Sequence, residues 1–311
     1  MNDQWIRRLG LVVFSGEKGL DLSEFHVRFE IAAADLESPN NASIRVYNLS
    51  RETVQKIRGE FSEVVVNAGY QNGNYGVIFQ GTIKQFRIGK ENNTDTYLDI
   101  LAADGDIGYN QGVINISLAK GTTLNDTVAE LSKAMPGVEI SSLEVDPQHR
   151  PTIRGQVLFG MAREHMRNVA ATTNKSWSIQ NGQVVFLENN GYDVNKVVEL
   201  NSGTGLIGIP EQTDNGIQLS CLLNSKIRIG TSIKLNNSII TQMVEQNPNS
   251  APIPYNQRVG LYSLAPLSKD GVYRVFVVEH VGDTRGNSWM TNVIALAVSQ
   301  SAPADQAVQG L

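Results

Sequence analysis

The stretch SIRVYNLSRETVQKIRGEFSEVVVNAGYQNGNYGVIFQG, residues 43–81, holds a strand, a short helix and a second hairpin in close succession. Ala42–Leu49 alternates, with Ile44 and Val46 on one side, and Ser50 caps a helix running through Arg58. Val64–Ala68 resumes an apolar strand that Gly69 ends. Gln71–Gly76 is a Gly/Asn turn, and Val77–Phe79 leads through Gly81 into a strand over Thr82–Ile88. A β-rich sandwich with a single embedded helix is the simplest reading.

Length and composition bound what is attached to that core. At 311 residues with 41% hydrophobic side chains, the chain buries more than one core, and two or three domains are expected. The formal net charge of −5 leaves no basic footprint, so binding to nucleic acid by phosphate neutralisation is not expected. A single cysteine, Cys221, excludes an intramolecular disulfide and gives no support for secretion into an oxidising compartment. Asp3, Arg7 and Arg8 interrupt the N-terminus too early for a signal peptide, and no run of eighteen apolar residues occurs. A soluble protein made in a cytoplasm is expected, with no membrane span. The triplets at Asn41, Asn48 and Asn115 then mark turns and strand ends rather than glycan sites.

Residues 5–15 and 22–34 read as two strands around the turn Ser15–Gly19, with Phe25, Val27, Phe29 and Ile31 on one face. Asp35–Asn41 is a loop. The strand Thr82–Ile88, a turn at Gly89–Thr94 and a return strand through Tyr97–Leu101 close a first domain near Asp106. From Gly121 the period changes: Leu124, Val128, Leu131 and Met135 form the stripe of a helix capped by Thr123 and stopped at Pro136-Gly137. A second helix is predicted from Gln156 to Thr173. Asn181-Gly182 between Trp177–Ile179 and Val184–Leu187 is a hairpin signal. From Glu199 strands return at Ile217–Leu223, Lys226–Ile229 and Ser232–Leu235, followed by a loop through Pro248, Pro252 and Pro254. A last hairpin joins Gly271–Val281 to Ser288–Val298.

Thr82–Ala102 and Val277–Ala297 echo one another: each is an outgoing strand, a polar Gly-bearing turn and an alternating return strand. The expected fold class is therefore mainly β (α+β), with two β-barrels or sandwiches split by a small α+β insert. The expected boundaries are 1–106 for the first barrel, 107–194 for the insert, 195–299 for the second barrel and 300–311 for a flexible tail.

A family resemblance rests on pieces that occur in order along most of the chain. They are Ala42–Ser50, Ala68-Gly69-Tyr70, Ile78–Gly81, Ala103–Asp106, Gly205–Gly208, Cys221–Asn224 and Gly282–Trp289. Together they resemble the baseplate hub proteins of contractile-tailed bacteriophages, with similar pieces in related prophages and Mu-like tails. Asn224-Ser225 departs from the Asn-Pro usual there. The resemblance implies a homotrimeric hub whose two tube-like barrels form a pseudo-six-fold ring between the hexameric tail tube and a trimeric spike. It implies as partners the tail tube protein, the spike, other baseplate proteins and the tape-measure protein. It places the protein in the virion tail, after synthesis in the bacterial host cytoplasm. The insert and wide loops would carry partner contacts.

No catalytic, cofactor-binding or metal-ligating residues are assigned. Gly-x-Ser-x-Gly, His-Glu-x-x-His and paired cysteines are absent from the sequence. His280 with Asp283 and Arg285 is the nearest approach to an acid–base cluster, but Asp283 reads more simply as a turn opener that bonds its own backbone. His165 reads as a boundary residue of the second helix. Asp104-Gly105-Asp106 lacks the further oxygen ligands of a calcium loop and reads as a domain exit. Trp177 and Trp289 lie in strand-forming runs, where a ring ordinarily packs a sheet face. The expected function is structural rather than enzymatic. The alternatives are a carbohydrate-binding or adhesin module and the distal tail hub of a non-contractile phage.

Overall fold

The computed structural model describes residues 3–140, 145, 146, 148–188, 197–213, 215–242, 267, 268 and 270–297. The loop through Pro248, Pro252 and Pro254 and the 300–311 tail lie outside the described residues. No helix among the described residues is long and apolar enough to cross a membrane.

The N-terminal segment comprises β1 (Asp3–Ser15), β2 (Lys18–Asp21), β3 (Val27–Ala34), β4 (Asn41–Tyr47), helix α1 (Arg51–Glu60), β5 (Glu63–Asn72), β6 (Gly76–Lys90) and β7 (Thr96–Ala103). Alternation predicts the buried face of β3: Val27, Phe29 and Ile31 are all buried. The expected 22–34 strand is broken, however. The strand that pairs with β1 is the preceding Lys18–Asp21, residues 22–26 are a turn, and β3 starts only at Val27 and pairs with β4. Gly69 does not end its strand. Its φ of 153° and a backbone approach that would set a Cβ 1.7 Å from Asn74 O admit only glycine within a continuing β5.

The insert comprises α2 (Asp106–Gln111), β8 (Val113–Leu118), α3 (Leu124–Lys133), β9 (Glu139–Ile140), β10 (Gln156–Met161), α4 (Ala162–Thr173), β11 (Lys175–Gln180) and β12 (Gln183–Glu188). Thr123 caps α3 in a full capping box with Asp126, and Val128, Leu131 and Met135 are buried. The predicted second helix is corrected in its first turns: Gln156–Met161 is a strand paired along its whole length with β8. Its period is two, with Leu158 buried between exposed Val157 and Phe159, and the helix begins only at Ala162. Asn181-Gly182 makes the expected two-residue hairpin, both with positive φ.

The C-terminal segment comprises β13 (Val197–Glu199), β14 (Leu206–Thr213), β15 (Gly216–Leu222), β16 (Ser232–Lys234), β17 (Thr241–Gln242), β18 (Val272–Asp283) and β19 (Trp289–Ala297). The strand expected at Lys226–Ile229 is absent. Asn224 Oδ1 accepts from Lys226 N at 3.0 Å and turns the chain there, leaving Ile227 fully buried without a ladder.

The fold is mainly β, as expected, but neither barrel closes. One sheet of fourteen strands runs β17-β14-β15-β19-β18-β3-β4-β7-β6-β5-β1-β2, with β16 joining β18 and β13 joining β16. The edges that would close each unit are spent on joining them. Val277–Asp283 of β18 pairs antiparallel with Arg28–Ala34 of β3, so the two segments share a single sheet. The sheet still curls, because β1 residues Leu11 and Val13 and β3 residues Phe29 and Ile31 fall in one apolar core. A second core lies within the insert and a third within the C-terminal segment.

Candidate assembly interface

The seam between β3 and β18 is organised by Asp283. Its carboxylate accepts from Arg285 N at 2.9 Å, Gly286 N at 2.7 Å and Arg28 Nε at 2.7 Å, and lies 2.8 Å from His26 Nε2. Burial pushes its pKa up, but the bonds from Arg285 N, Arg28, His26 and Gly286 N outweigh that and leave it at about 2. Arg7 reaches across from β1 and donates to the Gly286 and Asn287 carbonyls at 2.5 and 3.0 Å. The turn-opening role expected of Asp283 is thus met. What sequence did not reveal is that partners more than 250 residues away converge on it.

His280 does not join Asp283 in an acid–base cluster. It is buried against Thr291 Oγ1 at 2.9 Å, and burial, helped by Arg228, lowers its pKa to about 3, so it stays neutral. Trp289 is also buried, edge-on to Phe29 at 5.5 Å, with its indole N–H donating to Gly69 O at 3.3 Å. Trp177 is buried in the insert core. Neither offers a face to a sugar. His165, on α4, is half-buried beside buried Met166, at the edge of the apolar face as expected, with its ring nitrogen 3.2 Å from Phe159 O.

A second set of contacts clamps the insert to the sheet. Asp104 accepts from Gly182 N at 2.7 Å and also from Asn181 N, while Asn40 Nδ2 donates to Ile179 O at 3.0 Å and Gln180 Oε1 at 2.9 Å. Burial raises the Asp104 carboxyl to about 6, outweighing the hydrogen bonds from Gly182 N and Asn181 N that lower it. Nearby, Asp35 accepts from Ser176 Oγ at 2.8 Å and pairs with Arg274 at 3.6 Å, and Arg274 donates to Glu188 O at 2.8 Å. Asp35, Ser176 and Arg274 come one from each part of the chain. The exit turn at Asp104 was legible in sequence; Asn40 in its Pro39 loop and Arg274 in an apolar strand carry no local signal of this role.

Among the described residues no group of three or more His, Cys, Asp or Glu side chains is placed to hold a metal ion. Cys221 is buried, and burial pushes its thiol up to about 12. What the surface does offer is apolar: Trp5, Ile6, Ile88, Val113, Val157, Phe159, Ile207 and Ile209 are exposed. Val113, Val157 and Phe159 share the outer face of the β8–β10 pair.

The fold matches those of phage and prophage tail proteins. The tail protein from Neisseria meningitidis MC58 matches 96% of this chain and 100% of its own at a TM-score of 0.57 and 9% identity. The 43 kDa tail protein of prophage MuSo2 from Shewanella oneidensis matches 94% and 99% at 0.57 and 6%. The E. coli c3393 protein, a component of the type VI secretion system, matches 90% and 76% at 0.50 and 12%. No curated protein matches at a significant level. The sequence profile of the family described as Baseplate hub gp41 matches residues 8–247, and the chain belongs to that family. It is a structural component of a phage tail.

Proposed function

We propose that three copies of this chain form the baseplate hub ring, joining a hexameric tail tube on one side to a trimeric spike on the other. The observation that carries this reading is the equivalence of the two sheet segments. Strand order β3-β4-β7-β6-β5-β1 in one corresponds to β14-β15-β19-β18-β16-β13 in the other. Two similar units per chain turn a three-fold ring into six near-equivalent positions. The units would be residues 1–106 and 195–299, with 107–194 as the insert. The exposed face of Val113, Val157 and Phe159 gives the insert an apolar surface for another baseplate protein. The tape-measure protein would approach through the tube, and synthesis would take place in the host cytoplasm. The same ring serves a contractile or a long flexible tail, with no turnover of substrate required.

Native mass spectrometry of the purified full chain tests the reading. A species of three chain masses is expected. A monomer or dimer at all concentrations up to tens of micromolar would sink it.

A further inference from the structure

The seam inside the chain supplies a template for the seam between chains. The hairpins β6–β7 and β18–β19 each carry one bulge, at Lys84 and Phe276, and each bulge lies six residues before the last paired residue of its strand, Lys90 or Gly282. The return strands then align Thr96 with Trp289, and the neighbouring pairs align Ala42 with Ile217, Arg28 with Ile207 and Glu30 with Glu211. A single set of equivalences therefore spans four strands of each segment.

Within the chain, Val277–Asp283 of β18 pairs with Arg28–Ala34 of β3. The equivalent of the first edge is Gln85–Glu91. On β6, the strand β5 covers only Gly76–Thr82, and among the described residues no strand pairs with that side of Gln85–Lys90. The equivalent of the second edge begins at Ile207 on β14. Among the described residues its outer side carries only the two-residue β17, against Glu211 and Gln212. Both bare edges are apolar where they face out: Ile88 is 57% exposed, Ile207 41% and Ile209 64%. The equivalence sets Glu211 opposite Gly89, where its neighbours on the same face are Arg87 and Glu91. An exposed edge with apolar side chains is a template for strand pairing with another chain.

We propose that Gln85–Lys90 of one copy pairs antiparallel with the β14 edge of the next, repeating the β18–β3 seam between chains and displacing β17. This rests on the trimeric reading above and says which surfaces make the trimer. Each chain offers one edge of each kind, so the contact is head-to-tail and three of them close a ring.

The equivalence sets Lys90 opposite the Gly208–Pro210 bulge, within disulfide reach in a paired register. In the full chain carrying Lys90→Cys and Ile209→Cys, mild oxidation is expected to give covalent dimers and trimers on denaturing gels. Each single variant should stay monomeric there, because Cys221 is buried. A covalent dimer from either single variant would mean a two-fold contact and would overturn the proposal. Independently, Ile209→Lys should raise the trimer dissociation constant at least tenfold with an unchanged circular dichroism spectrum. A wild-type trimer that neither cross-links in the double variant nor weakens in Ile209→Lys would overturn the seam and leave the trimeric reading standing. A wild-type monomer would overturn both.

Discussion

The two sheet segments follow the same strand order, yet they are not equally complete. In the N-terminal one, β5 and β1 are long and antiparallel, and α1 bridges β4 to β5. In the C-terminal one their counterparts β16 and β13 are three residues each and parallel, and turns replace the helix between β15 and β16. The shorter segment compensates by lending side chains to its neighbour: Leu223 and Trp289 belong to the N-terminal core. One topology has thus been used once as a long-stranded unit and once as a shorter unit that completes the core of the first.

Substituting Trp289 tests that dependence most directly. Trp289 is buried under β3 and bonded to Gly69 O, whereas its counterpart Thr96 is half-buried at the mouth of a turn. Trp289→Ala should destabilise the protein by about 3–5 kcal/mol, the usual cost of deleting a buried aromatic. Thr96→Ala should cost less than about 1 kcal/mol. Urea unfolding followed by tryptophan fluorescence and circular dichroism measures both. Similar losses for the two variants would mean that the segments are equally self-supporting.

A smaller effect separates two aspartates with the same backbone bonding. Asp104 and Asp283 each accept two successive backbone N–H groups, but only Asp283 also faces Arg28 and His26. The folded Asp283 titrates at about 2, below an unfolded aspartate, so its contribution is present above pH 4 and disappears as pH falls toward 2. Asp283→Asn should cost about 2 kcal/mol at pH 7 and close to nothing at pH 2. Asp104 behaves oppositely. Folded, it keeps its proton up to about pH 6, so the folded state binds more protons between pH 4 and 6 and stability declines as pH rises through that window. Asp104→Asn should flatten that decline, by about 2 kcal/mol between pH 4 and 7. Midpoints of urea unfolding across pH 2.5–7.5 read both slopes, and parallel pH profiles for the two variants would contradict the difference in their surroundings.

The hairpins, the α3 cap and the β3 face were legible because their signals are local: a Gly-bearing turn, a Thr at the N-cap, alternation over eight residues. The echo between Thr82–Ala102 and Val277–Ala297 was visible too, though strand pairing sets its register two or three residues away from the match in sequence, and the two turns differ in length by one residue. Closure was misjudged because β3 alternates identically whether its second edge meets β2 or β18. Gln156–Met161 carries a helical signal because Leu158, Ala162 and Met166 keep a spacing of four across a strand-to-helix junction. The functional surfaces are less legible still. Ile88 and Ile207 become informative only once the strands beside them are known to be missing.

The smallest expected effect concerns the element that only one segment possesses. Ser50 Oγ accepts from Thr53 N at 3.1 Å and caps α1, and Ile57 is the helix's fully buried anchor. Removing the cap leaves a donor to water at an exposed helix start, so Ser50→Ala should cost about 1 kcal/mol. In the C-terminal segment the equivalent stretch is held by Asn224, whose side-chain oxygen accepts from Lys226 N and whose own N–H donates to Thr291 Oγ1, with Ile227 as the buried anchor. Both connections thus bury one isoleucine, but the first is a ten-residue helix and the second has no helix between β15 and β16. If the ring has six near-equivalent positions, α1 appears at every second one, and a partner with three-fold symmetry can register against it. Replacing the exposed Arg51, Lys56 and Arg58 together by Glu should leave the unfolding midpoint within about 1 kcal/mol of the wild type. The same variant should leave the trimer intact while weakening its co-purification with the spike, and unchanged spike binding would show that α1 is not where three-fold and six-fold meet.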